Sequence, residues 1–194
     1  MDRRVAWGGA ALSQPAAARR AAMRGWHTKR PPPPSAHIVP EVVGLVRGWA
    51  AAGGAVLFTR YLNYPGSPYT RILDWHKFQA SPEVDIIAEL TPYTESSVAL
   101  DKTVYSLFTE EGSVLVKEHG WENLYLCGVD TESCVTQSAI GAFERGLTPY
   151  VTTDACASHH RSELHRAGLT LLRKNIGPRQ LLPRADLALQ RAEA

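Results

Sequence analysis

The chain has 194 residues, with 21 Lys and Arg against 19 Asp and Glu, 44% hydrophobic residues and 21% charged. This is the balance of a globular protein of one domain with a sizeable core, and it excludes collagen, coiled coil, general disorder and a strongly basic nucleic-acid binder. No apolar run approaches the roughly 20 residues of a membrane span, and an odd set of three cysteines, Cys127, Cys134 and Cys156, makes no disulfide framework and points to a reducing, cytoplasmic setting.

Charge divides the chain into two parts. Residues 1–36 carry seven basic side chains and one acid, Asp2, and end in the run Pro31 to Pro34. The other 158 residues carry 14 basic and 18 acidic side chains. Apart from a short Val5-Ala6-Trp7, the first part shows no alternation of buried and exposed positions, so it reads as a basic, Pro-rich arm without a packed structure. An Arg-rich, acid-poor start is also the composition of organelle transit peptides. No apolar core of secretory length follows the arginines, and no aromatic platform accompanies the charge as a nucleic-acid arm would have it. Residues 37–194 read as the folded domain.

Within that domain, helices and strands alternate. Ile38 to Ala52 has helical spacing of Val42, Leu45, Val46 and Trp49, with Pro40 in its first turn and Gly53-Gly54 at its end. Ala55 to Thr59 is a continuous apolar run, as for a strand buried on both faces. Arg60 to Pro92 is irregular. Ser97–Leu100 reads as a strand, Thr109–His119 as a helix, Asn123–Cys127 as a strand and Ser133–Arg145 as a helix. Pro149–Thr153 is a further strand, Ser162–Lys174 a helix capped by Ser162, and Gln180–Leu182 a last short strand. This order predicts an α/β fold, a three-layer, mainly parallel sheet with helices on both faces.

Ligands of such sheets lie beyond the carboxyl ends of the strands. Lys102 and Cys134 both follow predicted strands, so they share one rim. A cysteine at the start of a helix, beside an ammonium, is favoured as thiolate, and the free backbone N–H groups there can receive an oxyanion. On spacing alone, the plainer reading of Cys134 as a small buried hydrophobe leads.

The residue pattern points further. Leu124 to His159 resembles the cysteine block of the isochorismatase-like hydrolase superfamily, which includes nicotinamidases and N-carbamoylsarcosine amidohydrolases. The residues that carry the likeness are Gly128, Val129, Thr131, Cys134, Val135, Gly146, Asp154 and Ala155. Asp101 to Phe108 is similar to the family's lysine block, and Ile38 through Arg60 to its first helix and second strand. The resemblance implies a six-stranded parallel sheet of Rossmann-like order, Cys134 as nucleophile and Lys102 as the lysine supporting it. It also implies a cis peptide at Val129–Asp130, and an oxyanion hole made by the N–H groups of Asp130 and Cys134. The activity implied is hydrolysis of a small amide or carbamoyl compound by a homo-oligomer; no cofactor is expected, and the composition leads to no expectation of a nucleic-acid or membrane partner.

One part of the family pattern is missing. An aspartate at the end of the first strand carries protons in these enzymes, and it stands somewhat upstream of Ile38. Here Arg19 to His27 contains no acid, and Asp2 is the one acid in the first 40 residues. The alternative reading is therefore a catalytically impaired homologue, acting as a small-molecule binder or scaffold subunit.

Other candidates are weaker. Arg60, Tyr61, Tyr64, Trp75, Tyr105 and Phe108 are expected around the substrate pocket, although aromatics near strand ends also serve simply as packing. Asp74-Trp75-His76 has the spacing of a metal motif, but it stands too far from the strand and no later histidines match it, so no metal is expected. His159, His160 and His165 read as a solvated loop and helix face, Cys127 and Cys156 as core, and Asp154 as a cap or loop-bonding residue.

Overall fold

The computed structural model describes residues 5–10 and 35–187. Its strands are β1 (Val5–Ala10), β2 (Leu57–Tyr61), β3 (Val98–Lys102), β4 (Asn123–Val129), β5 (Thr148–Ala157) and β6 (Leu181–Leu182). The α-helices among the described residues are α1 (Val39–Ala51), α2 (Pro68–Ile72), α3 (Glu110–Glu118), α4 (Thr136–Glu144) and α5 (Ser162–Asn175). All six strands are parallel, in the order β3-β2-β1-β4-β5-β6. Helices cover both sides of the sheet. The order reverses between β1 and β4, where doubly wound sheets open a crevice at the carboxyl ends of their strands.

The largest departure from the sequence reading is β1. Residues 1–36 read as an unpacked arm, yet Val5–Ala10 lies inside the sheet. Gly8 to Ala10 pair with Leu57 to Thr59, and Val5 to Ala10 pair with Asn123 to Gly128. The segment VAWGGA has one β-branched residue and two glycines, so its intrinsic strand preference is low. Its strand is specified by two neighbours that each offer a row of backbone partners. The segment Arg19 to His27 and the proline run Pro31 to Pro34 lie outside the described residues.

The remaining elements follow simple causes. Strand β4 is buried from Leu124 to Val129, as a strand covered on both faces requires. Helix α1 buries Val42, Leu45, Val46 and Trp49 on one face, with Pro40 in its first turn. Helix α3 is capped by Thr109, whose side chain accepts from the Gly112 N–H. Helix α5 starts without its expected cap: Ser162 is already helical, and Arg161 stands at the N-cap with no side-chain bond. Strands β3, β4 and β5 each run further toward their carboxyl ends than the sequence suggests, which makes Lys102 the last residue of β3. Cys127 and Cys156 are both in the core, where burial pushes the Cys127 thiol up to about 12 and the Cys156 thiol well above its ordinary value. Among the described residues no helix is long and apolar enough to cross a membrane.

Candidate active site

Cys134 does not open a plain α-helix. Near its end β4 passes through Gly128 at φ 106°, a backbone setting that favours glycine, and it leaves through a cis peptide at Val129–Asp130. Thr131–Val135 then form a single π-type turn that leads into α4. Such turns are rare and cluster at functional sites. Cys134 is half-buried within this turn.

Contacts from β5 and α5 hold the turn from behind. The Thr131 hydroxyl, fully buried, donates to the Ala157 carbonyl at 3.1 Å and lies 2.8 Å from His165 Nδ1. A hydroxyl has one hydrogen, so His165 Nδ1 is the donor in that second bond. The Asp130 carboxylate accepts from the His159 N–H at 2.7 Å and lies 2.9 Å from its Nδ1. Burial works to raise the Asp130 pKa, but the hydrogen bond and charge of His159 outweigh it and the net shift is downward. Burial pulls His165 below the ordinary histidine value, against the pull of Glu132. Gly168 of α5 lies so close to the turn that a Cβ there would stand 2.8 Å from the Glu132 nitrogen.

Lys102 reaches this turn from the far side of the sheet. It is buried, and its ammonium nitrogen lies 2.9 Å from the Val104 carbonyl, 2.8 Å from the Tyr105 carbonyl and 3.5 Å from Cys134 Sγ. Burial lowers its pKa, and the negative charge of Cys134 offsets part of that. Two strand ends, that of β3 and that of β4 with its turn, thus bring a cation and a sulfur together over the crevice.

An aromatic group lines the same rim. Tyr61 ends β2, and its ring centre lies 5.7 Å from Lys102 Nζ. Ring centres of Tyr61 and Tyr69 are 5.0 Å apart, those of Tyr69 and Tyr105 5.1 Å, and those of Tyr61 and Trp75 5.8 Å. Burial, with the charge of Cys134 adding to it, raises the pKa of all three tyrosines. Asn63 fixes the loop that carries Trp75: its amide donates to the Trp75 and Lys77 carbonyls, while its oxygen accepts from Ser67 Oγ and the Tyr64 N–H.

A family model described as the isochorismatase domain matches residues 21–180. The chain belongs to the isochorismatase family. Isochorismatase domain-containing protein 2 of Bos taurus is 35% identical over 75 residues, which is 38% of this chain and 36% of that protein. The match thus spans about a third of the length of that curated relative. Among solved structures, N-carbamoylsarcosine amidase from Thermoplasma acidophilum superposes with a TM-score of 0.73 at 19% identity, covering 95% of this chain and 98% of that one. Nicotinamidase PncA from Bacillus subtilis superposes with a TM-score of 0.73 at 22% identity, covering 92% and 98%. At these identities the structural likeness is one of fold.

Within this isochorismatase-family frame, the candidate residues separate. Cys134, Lys102, Tyr61, Trp75 and Tyr105 are brought together, and Tyr69, which the sequence reading passed over, joins them through ring contacts to Tyr61 and Tyr105. Arg60 makes a two-pronged ion pair with Asp101 at 2.6 and 2.7 Å, directly across the β2–β3 register. Phe108 lies under Arg145, 4.5 Å from its guanidinium, and against Gly141 of α4, apart from the aromatic group. Tyr64 is exposed. Asp74 and His76 pair with each other at 2.9 Å on the surface, and among the described residues no three His, Cys, Asp or Glu side chains gather as a metal site would need. Asp154 bonds a loop, accepting from the Arg184 N–H. The histidines differ most from expectation, because His159 and His165, each half-buried, bind Asp130 and Thr131. Their sequence signal was weak: three histidines after a strand end, with partners some 30 positions away.

Proposed function

We propose that the chain is a cysteine hydrolase acting on a small amide or carbamoyl compound. The observation that carries this reading is the 3.5 Å approach of Lys102 Nζ to Cys134 Sγ at the carboxyl-end rim of the sheet. A sulfur held beside a cation, within the turn that leads into α4, is the arrangement of an activated nucleophile. Cys134 attacks the substrate carbonyl, and the oxyanion is received by the N–H groups of Asp130 and Cys134. The bond to nitrogen then breaks, and water releases the acyl group from sulfur. Family membership supports hydrolysis, and the fold shared with an N-carbamoylsarcosine amidase and a nicotinamidase supports a carbon–nitrogen bond as the target. The aromatic wall of Tyr61, Tyr69, Trp75 and Tyr105 suits a compact, largely uncharged substrate.

The test is ammonia release from a panel of small amides and carbamoyl compounds by the native chain and by Cys134→Ala. The variant is expected to fold normally and to lose turnover entirely. Full activity in a folded Cys134→Ala protein contradicts the mechanism.

A further inference from the structure

The cysteine-hydrolase reading leaves a proton unaccounted for. The thiol must lose one, the leaving nitrogen must gain one, and the water that cleaves the acyl-enzyme must lose one. Strand β1, Val5–Ala10, carries no carboxylate, and after Asp2 the next acid in the chain is Glu41. Glu41 is paired with Arg184 at 2.8 Å. Of the acids near the site residues in sequence, Asp101 is engaged by both prongs of Arg60, Asp130 by the backbone and ring of His159, and Glu132 by Ser158 Oγ, which donates to one of its oxygens at 2.6 Å while the other lies buried without a hydrogen-bond partner.

We propose that Lys102 is the proton carrier of this reaction as well as the cation beside the sulfur. The proposal rests on the stereochemistry of its nitrogen. Two of its three directions end on the Val104 and Tyr105 carbonyls, which can only accept. Both an ammonium and a neutral amine satisfy them, since each has at least two N–H bonds. The third direction ends on Cys134 Sγ. In the ammonium that direction holds an N–H facing a thiolate, and in the amine it holds a lone pair facing an S–H. One proton can therefore pass between nitrogen and sulfur with no other bond rearranged. The other titratable groups around the pair are Tyr61, whose ring lies beneath the nitrogen, and Tyr69 and Tyr105, which are held in their neutral forms by burial.

The steps balance. With the proton on Lys102, the thiolate forms a bond to the carbonyl carbon and the carbonyl pair moves to oxygen. The oxyanion re-forms the C=O bond, the carbon–nitrogen bond breaks, and the Lys102 proton goes to the leaving nitrogen, which is bonded to the same carbon as the sulfur. Lys102, now a neutral amine, takes a proton from water as the water oxygen attacks the thioester. The carbon–sulfur bond breaks, and thiolate and ammonium are restored as the acid leaves.

Lys102→Arg tests this. Arginine supplies the charge but gives up no proton. The variant is expected to retain iodoacetamide labelling of Cys134 and to lose hydrolysis by roughly 10²–10⁴-fold. Labelling retained with hydrolysis within tenfold of native overturns the proposal and leaves the hydrolase reading intact. A native chain inactive on every amide of the panel overturns both. Because the larger side chain can prevent folding, a second measurement uses the full chain carrying Cys134→Ala and ¹³C-labelled lysine. The Lys102 ε-carbon signal is expected to report loss of charge below the ordinary lysine value of about 10.4, because the ammonium is buried. A Lys102 that stays charged to pH 10 without its sulfur partner overturns the proposal.

Discussion

Replacing Thr131 with valine keeps the shape of a fully buried side chain and removes one hydroxyl. That hydroxyl joins the nucleophile turn to two other elements: it donates to the Ala157 carbonyl of β5 at 3.1 Å and accepts from His165 of α5 at 2.8 Å. Two neutral hydrogen bonds are lost, one beside a buried carbonyl that retains a second lone pair and one at a half-buried ring. At about 0.5–1.5 kcal/mol for each bond, Thr131→Val is expected to cost about 1–3 kcal/mol. In urea this lowers the unfolding midpoint by roughly 0.5–1 M. The bond to His165 is isolated by a double-mutant cycle with His165→Ala, where a coupling of about 1 kcal/mol is expected. Costs that simply add within about 0.3 kcal/mol refute the claim that this pair ties α5 to the turn.

Gly168→Ala places a Cβ within 3.0 Å of the backbone of Thr131 and Glu132, which has to move by roughly half an ångström; as a 1 Å misplacement costs about 10²-fold, hydrolysis is expected to fall about tenfold. Unchanged turnover in that variant means the contact does not set the turn's position. Asp101→Ala removes an ion pair whose side chains are 33% and 41% exposed, so it is expected to cost less than about 1 kcal/mol and to leave hydrolysis unchanged; a large loss of activity assigns the Arg60–Asp101 pair to the pocket. His165 has its folded pKa below its unfolded value of about 6.5, so the unfolded chain binds more protons between the two values. Its contribution to stability is present above pH 6.5 and lost as pH falls toward the folded pKa, and urea midpoints of native and His165→Asn proteins should converge over that window.

The parts of the site legible in sequence are those whose cause is local. Gly128 to Cys134 is one unbroken run, and its strand, turn and helix can be read from neighbouring residues. Lys102 was legible as a residue just beyond a short apolar strand, and so was its sharing of a rim with Cys134. What escaped reading depends on partners far along the chain. Strand β1 is a poor strand former taken up by β2 and β4 on either side, and nothing in VAWGGA alone announces it. Arg60 reads only as a candidate pocket residue, and its ion pair with Asp101, 41 positions later, emerges only from the register. His159 and His165 read as solvated for the same reason. Asn63 looks like an ordinary loop polar residue, and its role emerges only when its four bonds around the Trp75 loop are traced.

The account turns on Cys134 as a nucleophile, and the most direct measurement is the intact mass of the folded chain quenched during incubation with small amides at neutral pH, followed by peptide mapping. An added acyl mass is expected on Cys134, absent from Cys134→Ala and never on the buried Cys127 or Cys156. A native chain that releases ammonia from those amides while Cys134 never carries the acyl group contradicts it.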